Sequence, residues 1–285
     1  DYFYPISIIE KDDILEKCRE IGIDGITTIA SDVAVLTVNY VAEQLGLIGN
    51  PDKYSVTVTN KYEMRQCFVE NSVSSPHFTI TNEIDKYDIE GFRFPLIGKP
   101  TERSGSRGVE KVNDPVQLEK AIVRAKAESF CHAAIIEEYV TGREVSVESI
   151  SFEGKHHVLQ ITDKVTTGAP YFVELEHHQP SSLSEDIQIR IREIVVKALE
   201  ALHIQYGASH SELKITDESD IRVIEIGARM GGDFIGSNLV KLSTGYDFLG
   251  ATIKVAMGEF VEPQITEHNY SGVYFLSKET ANLKT

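Results

Sequence analysis

Residues 210–226 read HSELKITDESDIRVIEI, in which two runs of alternating apolar and polar residues flank the turn-forming segment DESD. This pattern predicts two antiparallel strands joined by a four-residue turn at 217–220. Counting back from the turn places Glu212 directly opposite Glu225. Cross-strand neighbours have Cβ atoms roughly 5 Å apart, so two carboxylates there repel each other unless a positive charge lies between them. A hard divalent cation such as Mg²⁺ is the natural candidate, and a pair of solvated edge residues is the alternative.

A cation and two glycines follow directly after the second predicted strand, in IEIGARMGG (224–232). The Arg229 guanidinium suits a bidentate contact with a phosphate or a carboxylate. Gly231 and Gly232 allow a ligand to approach the backbone closely. The end of the hairpin therefore predicts an anion-binding site beside the predicted cation site.

Another candidate for anion binding lies earlier in the chain, in KPTERSGSRGV (99–109). Lys99 ends a predicted strand and precedes a loop rich in glycine and serine. In a P-loop the lysine follows the glycines and opens a helix, so this segment predicts a different way of holding phosphates. A plain surface loop, which glycine and serine also favour, is the alternative.

The composition is that of a globular protein with room for two or more lobes, since the chain has 285 residues of which 41% are hydrophobic. Its 44 acidic residues exceed the 28 basic ones, and the net charge of −16 argues against a nucleic-acid-binding protein. No apolar run reaches membrane-spanning length. Three scattered cysteines predict neither a disulfide framework nor a metal site, and favour a reducing, cytoplasmic location. Apolar stretches close to both ends lead us to expect a piece of a longer protein.

Predicted strands and helices alternate over the first fifty residues. Strands are predicted at 4–9 and 24–30, and helices at 12–21 and 33–46, the latter closed by Gly46. This alternation is typical of a parallel α/β sheet. Further along, the patterns predict helices at 60–72, from Asp114 onward, at 187–202, 238–243 and 247–257, with strands at 92–99, 133–140, 143–152 and 156–164.

Taken together, the motifs resemble those of the ATP-grasp enzymes, in that family's order. They are KP-x₃-SGSRGV (99–109), IIEEYVTGREVSVE (135–148), HSELKIT (210–216) and IEIGARMGG (224–232). HHQPSSL (177–183) and STGYD (243–247) resemble the carboxylate–amine ligases of this superfamily, which join amino acids or similar compounds.

The resemblance implies a fold of the α/β class, namely a two-lobed α+β ATP-grasp fold with the remnant of a preceding parallel α/β domain. The implied division places that remnant at 1–55, a helical linker and the first lobe with its flap loop at 56–140, and the second lobe with the metal and substrate site at 141–285. The end of the last segment would begin a C-terminal sheet extension.

The resemblance also implies an ATP site made of lysines for the phosphates, a flap that closes over them and a strand whose backbone reads the adenine edge. These residues are Lys61 and Lys99, then Ser104, Gly105, Ser106 and Gly108, and finally Glu137, Glu138, Tyr139 and Val140. Glu144 would accept hydrogen bonds from the ribose hydroxyls. Because strand residues alternate in direction, at most one of Glu137 and Glu138 points into the pocket.

The implied chemistry is phosphoryl transfer, which depends on positioning and on neutralising charge. Glu212 and Glu225 would hold Mg²⁺, with Mn²⁺ able to replace it, and Arg229 with Lys99 would stabilise the transferred group. A substrate carboxylate would become an acyl phosphate that an amine then attacks. The residues placed near these small-molecule substrates are His177, His178, Arg229, Gly231 and Gly232, although unpaired histidines also serve as surface or packing residues. A homodimer is the default expectation.

One position departs from the family pattern, because Gly227 stands where members commonly carry an asparagine that ligates the metal. A water could replace that oxygen, and the alternative is a nucleotide-binding protein without ligase activity. A relative of biotin carboxylase or of purine-pathway enzymes, activating bicarbonate or formate, is a further alternative. A nicotinamide-binding Rossmann protein is disfavoured, since the GxGxxG fingerprint is absent.

Overall fold

Two antiparallel sheets form the framework of the protein. The computed structural model describes residues 2–83, 87–169 and 172–276. Within these residues the smaller sheet has the order β1-β4-β2-β3 and consists of β1 (Phe78–Thr81), β2 (Leu96–Pro100), β3 (Glu110–Val112) and β4 (Ala134–Glu138). The larger sheet has the order β10-β7-β6-β5-β8-β9 and consists of β5 (Arg143–Phe152), β6 (Lys155–Thr166), β7 (Glu174–Gln179), β8 (Gly207–Ile215), β9 (Ile221–Gly227) and β10 (Ser271–Tyr274).

Helices cover the sheets and precede them. They are α1 (Lys11–Ile21), α2 (Asp32–Leu45), α3 (Lys61–Glu70), α4 (Pro115–Glu128), α5 (Glu185–Ala201), α6 (Val240–Thr244) and α7 (Phe248–Ala256). The residues that cap α2, α3 and α4 lie at helix ends that the sequence predicts. Asn60 accepts hydrogen bonds from the first turn of α3, Asp114 accepts one from the Gln117 amide at 2.8 Å, and Gly46 ends α2 in the left-handed conformation with φ 66°.

Each sheet buries one face under helices. Helix α5 packs against the larger sheet beside α3, and the apolar residues they share with it are wholly buried, among them Phe68, Ile191 and Val223. Helix α4 packs against the smaller sheet through Leu118 and Ile122. On its opposite face the larger sheet packs in part against α6 and α7, around the buried Phe248. Polar side chains on the remaining part of that face line a cleft together with residues of the smaller sheet.

The hairpin of β8 and β9 pairs Glu212 with Glu225, as predicted, but through a different arrangement. Ile215 pairs with Ile221, so the turn contains five residues where four were predicted. A bulge at Ile224 then shifts the register by one residue and restores the glutamate pairing. The two differences cancel, and the carboxylates lie opposite each other.

The two strands predicted in the first fifty residues are wrong. Residues 4–9 and 24–30 contain no strand; Ile29 alone forms a parallel bridge, with Met230. A strand requires a neighbour that accepts and donates its backbone hydrogen bonds, and within the described part of the chain only this short contact provides one. Helices α1 and α2 confirm the predicted helices of the same region. The domain limits at 55 and 140 stay a prediction.

No helix in the described ranges combines the length and the apolar character that crossing a bilayer requires.

Candidate functional site

A cleft of about 350 Å³ is lined by residues of both sheets, of α2 and of α3. Most of the predicted site residues lie around it. They are Lys61, Lys99, Ser104, Gly105, Ser106, Glu137, Glu138, Tyr139, Val140, Glu144, Glu212, Glu225, Arg229 and Gly232. Because Lys61 and Gly232 lie far apart in the sequence, the fold brings the separate motifs together in one place.

The other predicted residues do not line this cleft. Gly108, with φ 70°, lies against Pro100 at the base of the flap loop. Gly231 donates its backbone N–H to the buried carboxylate of Glu148, at 3.0 Å. His177 is fully buried and His178 is half-exposed beside Glu176. The ATP contact expected of Gly108 and the substrate contacts expected of Gly231, His177 and His178 therefore stay predictions.

Each of the paired glutamates contacts a lysine. Lys164 Nζ lies 2.9 Å from Glu212, and Lys61 Nζ lies 2.7 Å from Glu225. Burial opposes ionisation of Glu212, yet Lys164 and His210 lower the pKa of this carboxyl well below its usual range. Glu212 is therefore available as an anionic oxygen ligand, and the positive charge that the pairing of the two glutamates demands is supplied here by lysine ammonium groups.

Lys164, a residue that the sequence analysis missed, neutralises a group of three carboxylates. Its ammonium lies 2.7 Å from Glu174, 2.9 Å from Glu212 and 3.5 Å from Glu144. Burial acts against its charge, but the three glutamates together raise the pKa of Lys164 above its usual range. Glu144 also contacts Lys214, at 3.0 Å. The carboxylates of Glu144, Glu174 and Glu212 in the cleft are thus each paired with at least one lysine.

Lys99 and Glu137 form a buried ion pair on neighbouring strands of the smaller sheet, with Nζ and Oε2 2.7 Å apart. Arg65 of α3 lies 2.9 Å from the other oxygen of Glu137. Burial lowers the pKa of Lys99, although Glu137 opposes this effect. The Glu137 side chain is therefore engaged with cations, while Glu138 of the same strand accepts a hydrogen bond from the His77 amide at 3.1 Å.

The flap loop is exposed and its tip is in the left-handed region, with φ 67° at Gly105 and 56° at Ser106. Lys61 reaches the base of this loop, donating to the Arg103 carbonyl at 2.7 Å. An exposed loop of this composition can present its backbone N–H groups to an anionic ligand. Lys61 consequently contacts the loop and the metal-site candidate Glu225 at the same time.

Arg229 is held by a residue that the sequence analysis did not identify. Its Nε donates to Asp32 Oδ1 at 2.8 Å and its Nη2 donates to Asp32 Oδ2 at 3.0 Å. The two residues are 197 positions apart, so no local pattern could have revealed the pair.

A buried pair of His210 and Glu148 lies beside Glu212. Burial acts against the charged imidazolium, yet Glu148 raises the pKa of His210 to about 9. Strand alternation does place His210 on the same face as Glu212.

Glu174, His177 and Asp233 bring three ligand atoms within 4.8 Å of one another at one side of the cleft. His177 Nε2 lies 2.7 Å from Glu174 Oε2. Burial and the neighbouring Glu174 raise the pKa of Asp233. This side of the cleft is therefore suited to a cationic group, whereas Arg229 and Lys99 suit anionic ones.

Comparisons with known proteins agree with this geometry. A sequence model described as the ATP-grasp domain matches residues 92–237, just over half of the chain. Alanine–anticapsin ligase of Bacillus subtilis (strain 168) is 28% identical over 253 residues, covering 80% of this chain and 53% of that protein. The chain thus spans about half the length of that protein and of two further alanine–anticapsin ligases that it matches.

Two solved structures extend the comparison. L-amino acid ligase from Bacillus licheniformis has a TM-score of 0.82 and 28% identity, covering 93% of this chain and 64% of that one. Biotin carboxylase from Campylobacter jejuni has a TM-score of 0.78, covering 93% of this chain and 61% of that one, but its 21% identity shows the fold alone. The family model, the relative and the shared fold lead to one conclusion: the chain belongs to the ATP-grasp family.

Proposed function

We propose that this chain is the ATP-binding and catalytic part of a carboxylate–amine ligase, which forms an amide or peptide bond and releases ADP and phosphate. The observation that carries the proposal is the pair of facing glutamates, Glu212 and Glu225, in a cleft that also contains Lys61, Lys99 and Arg229. Phosphoryl transfer needs this combination of metal-binding carboxylates and phosphate-binding cations, and it needs no nucleophilic side chain.

The donor set fits Mg²⁺. Glu212 and Glu225 offer oxygens from adjacent strands, and both are in contact with a cation in the structure. A divalent ion bound there would neutralise charge on the nucleotide phosphates, and Mn²⁺ prefers similar ligands. Lys61 and Lys164 would then be free to contact other anionic groups.

The position of each element around the cleft supports a set of proposed nucleotide contacts. Lys61 and Lys99 would bind the phosphates, and the flap residues Ser104, Gly105, Ser106 and Gly108 would cover them. The backbone N–H and C=O groups of residues 137–140 would form hydrogen bonds with the edge of the adenine base. The Glu144 carboxylate would accept hydrogen bonds from the ribose hydroxyls. The contacts of Glu137 with Lys99 and Arg65 favour an indirect role for its side chain, which fixes the position of Lys99.

In the proposed reaction an oxygen of the substrate carboxylate attacks the γ-phosphorus of ATP, and the bond from that phosphorus to the ADP oxygen breaks. The nitrogen of the amine then attacks the acyl carbon, loses a proton and displaces phosphate. Arg229 and Lys99 supply positive charge beside the transferred group. A closed flap excludes water, which would otherwise hydrolyse the acyl phosphate.

Amino acids are the substrate class that the cleft fits best. The carboxylates of Glu174 and Asp233 suit a substrate ammonium group, and Arg229 suits a carboxylate. The buried His177 would contribute by orienting Glu174, while the half-exposed His178 and the backbone of Gly231 and Gly232 stay weaker candidates for substrate contacts. Bicarbonate and formate carry no ammonium group, so they would make no contact of this kind with Glu174 and Asp233.

Measuring the phosphate that the full-length protein releases from ATP in the presence of Mg²⁺ tests the proposal. The assay uses single amino acids, pairs of amino acids, bicarbonate and formate. Release that requires a particular amino-acid pair supports the ligase and identifies its substrates. Release with bicarbonate or formate alone favours a carboxylase-type enzyme, and nucleotide binding without release under any condition favours a binding protein. A cytoplasmic location and a homodimer stay predictions, to be checked by fractionation and light scattering.

A further inference from the structure

The start of α2 reaches the cleft through Asp32. This residue is 7% exposed, and both of its carboxylate oxygens accept hydrogen bonds from the Arg229 guanidinium, at 2.8 and 3.0 Å. The preceding residues are fixed to the same segment, because Ile29 bridges Met230 and the Ala30 amide donates to the Met230 carbonyl at 3.1 Å. Asp32 and Arg229 therefore form a bidentate pair between two segments that are locked together by backbone contacts.

Gly227 leaves the space that this pair fills. A Cβ atom at this position would lie 2.5 Å from Asp32 Oδ1 and 3.0 Å from Arg229 Nε. Both distances are shorter than ordinary non-bonded contacts, so any side chain at 227 would have to displace the carboxylate or the guanidinium. The Asp32 carboxylate thus lies where an asparagine at 227 would begin.

We propose that Asp32 is a positioning residue that aims Arg229 at the reacting groups, and that Gly227 is required by this pair instead of being a lost metal ligand. The role given to Arg229 rests on the proposed function, whereas the dependence of the Arg229 position on Asp32 and Gly227 does not. Asp32 itself is unsuited to metal binding here, because one guanidinium occupies both of its oxygens in charge-assisted hydrogen bonds.

Replacing Asp32 with asparagine tests the positioning role. Asp32→Asn keeps the size of the side chain but allows only one acceptor toward the guanidinium. We expect the rate constant for substrate-dependent phosphate release to fall by about 10- to 100-fold, with the KM for ATP changed by less than about threefold. Asp13→Asn, which removes the same charge from an exposed position in α1, is the matched control. An unchanged rate constant in Asp32→Asn would overturn the positioning role.

Replacing Gly227 with asparagine separates the two explanations of this glycine. If the residue is a lost metal ligand, Gly227→Asn should raise activity or leave it unchanged. We expect the opposite, a loss of about tenfold or more, because the new side chain displaces the Asp32–Arg229 pair. In an Asp32→Ala background the same change should cost much less, since the space is then free. Fully additive losses in this double-mutant cycle would contradict the inference.

A spectroscopic measurement keeps the test independent of catalysis. The NMR resonance of the Arg229 Nε–H proton can be assigned through its loss in Arg229→Lys. This proton should exchange slowly with water in the wild-type protein and rapidly in both Asp32→Asn and Gly227→Asn. Slow exchange in both variants would overturn the inference even if no substrate were known. Failure of the wild-type protein to release phosphate with any substrate would instead count against the proposed function, and this resonance would still decide the role of Asp32.

Discussion

Glu225 shows how much of the site depends on single side chains. Its Oε1 accepts a hydrogen bond from Lys61, whose side chain is almost fully buried, so the carboxylate balances a charge in the free protein and would bind metal in the loaded one. The pairing of Glu225 with Glu212 was predicted from strand alternation and a turn signal, which are local, and it holds because a longer turn and a bulge at Ile224 offset each other. The partners Asp32 and Lys164 were not predicted, since each acts across the fold and sits in an unremarkable local pattern.

Glu225→Gln is expected to reduce substrate-dependent phosphate release by at least about 100-fold. The amide keeps an acceptor for Lys61 but removes the charge that a divalent ion requires. Thermal unfolding is measured in parallel, because weakening the contact with the buried Lys61 is expected to lower stability and must be separated from the loss of metal binding. Glu218→Gln, in the exposed turn of the same hairpin, is the control and should retain full release. Normal turnover by Glu225→Gln would remove this residue from the metal site.

Among the elements, the helix caps were predictable and the N-terminal strands were not. A cap is decided by residues that adjoin the helix, as with Asn60 and Asp114, whereas a strand needs a partner from elsewhere in the fold. The bulge at Ile224 illustrates the same limit, because the hydrophobic pattern of β9 does not reveal an inserted residue.

The Lys99–Glu137–Arg65 contacts connect β2, β4 and α3, and they make a test of element packing. Glu137→Gln leaves two buried cations without their anion, and we expect it to lower the free energy of unfolding by about 3–5 kcal/mol. Chemical denaturation at neutral pH measures this loss. Glu138→Gln, at the neighbouring half-buried position, should cost much less.

The difference in unfolding free energy between the wild type and Glu137→Gln is expected to depend on pH. Burial opposes ionisation of Glu137, yet Arg65 and Lys99 lower its pKa below the usual 4.5. A depressed pKa in the folded state contributes stability above the unfolded pKa and loses it as the pH falls through the folded pKa. The difference in unfolding free energy between the two proteins should therefore be constant near neutral pH and shrink below pH 4.5. A difference that grows with acidification would contradict this assignment.

Gly142, between β4 and β5, tests the joint between the two sheets. It has φ 137°, and a Cβ there would lie 2.0 Å from the Ile215 carbonyl oxygen. Gly142→Ala should cost more than about 2 kcal/mol of unfolding free energy, because the backbone itself must move. Gly154 has φ 75°, and no atom lies within 4 Å of the place that a Cβ would take, so Gly154→Ala should cost only about 1–2 kcal/mol. Equal losses would show that the close contact with Ile215 is unimportant.

At the scale of the whole molecule, α3 connects both sheets with the flap. Arg65 contacts Glu137 of the smaller sheet and donates to the Ile224 carbonyl of the larger one. Lys61 contacts Glu225 of the larger sheet and the Arg103 carbonyl at the base of the flap. A metal ion that binds Glu225 would compete with Lys61 for this carboxylate. It would therefore affect the contact between Lys61 and the base of the flap loop. The resemblance of the motifs to one family predicted this convergence, while the particular bridging contacts depend on the folded arrangement.

The coupling of metal site and flap leads to a prediction for limited proteolysis. Arg107 is exposed in the flap loop and should be cleaved by trypsin in the free protein. ATP with Mg²⁺ should slow cleavage at Arg107 by about tenfold or more, because bound phosphates order the loop backbone. ATP with EDTA should protect much less, and Glu225→Gln should abolish the difference between the two conditions. Cleavage after Lys155, which is exposed beside the β5–β6 turn, serves as the internal control. Equal protection with and without Mg²⁺ would show that the flap responds to nucleotide alone, and that Glu225 does not link the metal to the loop.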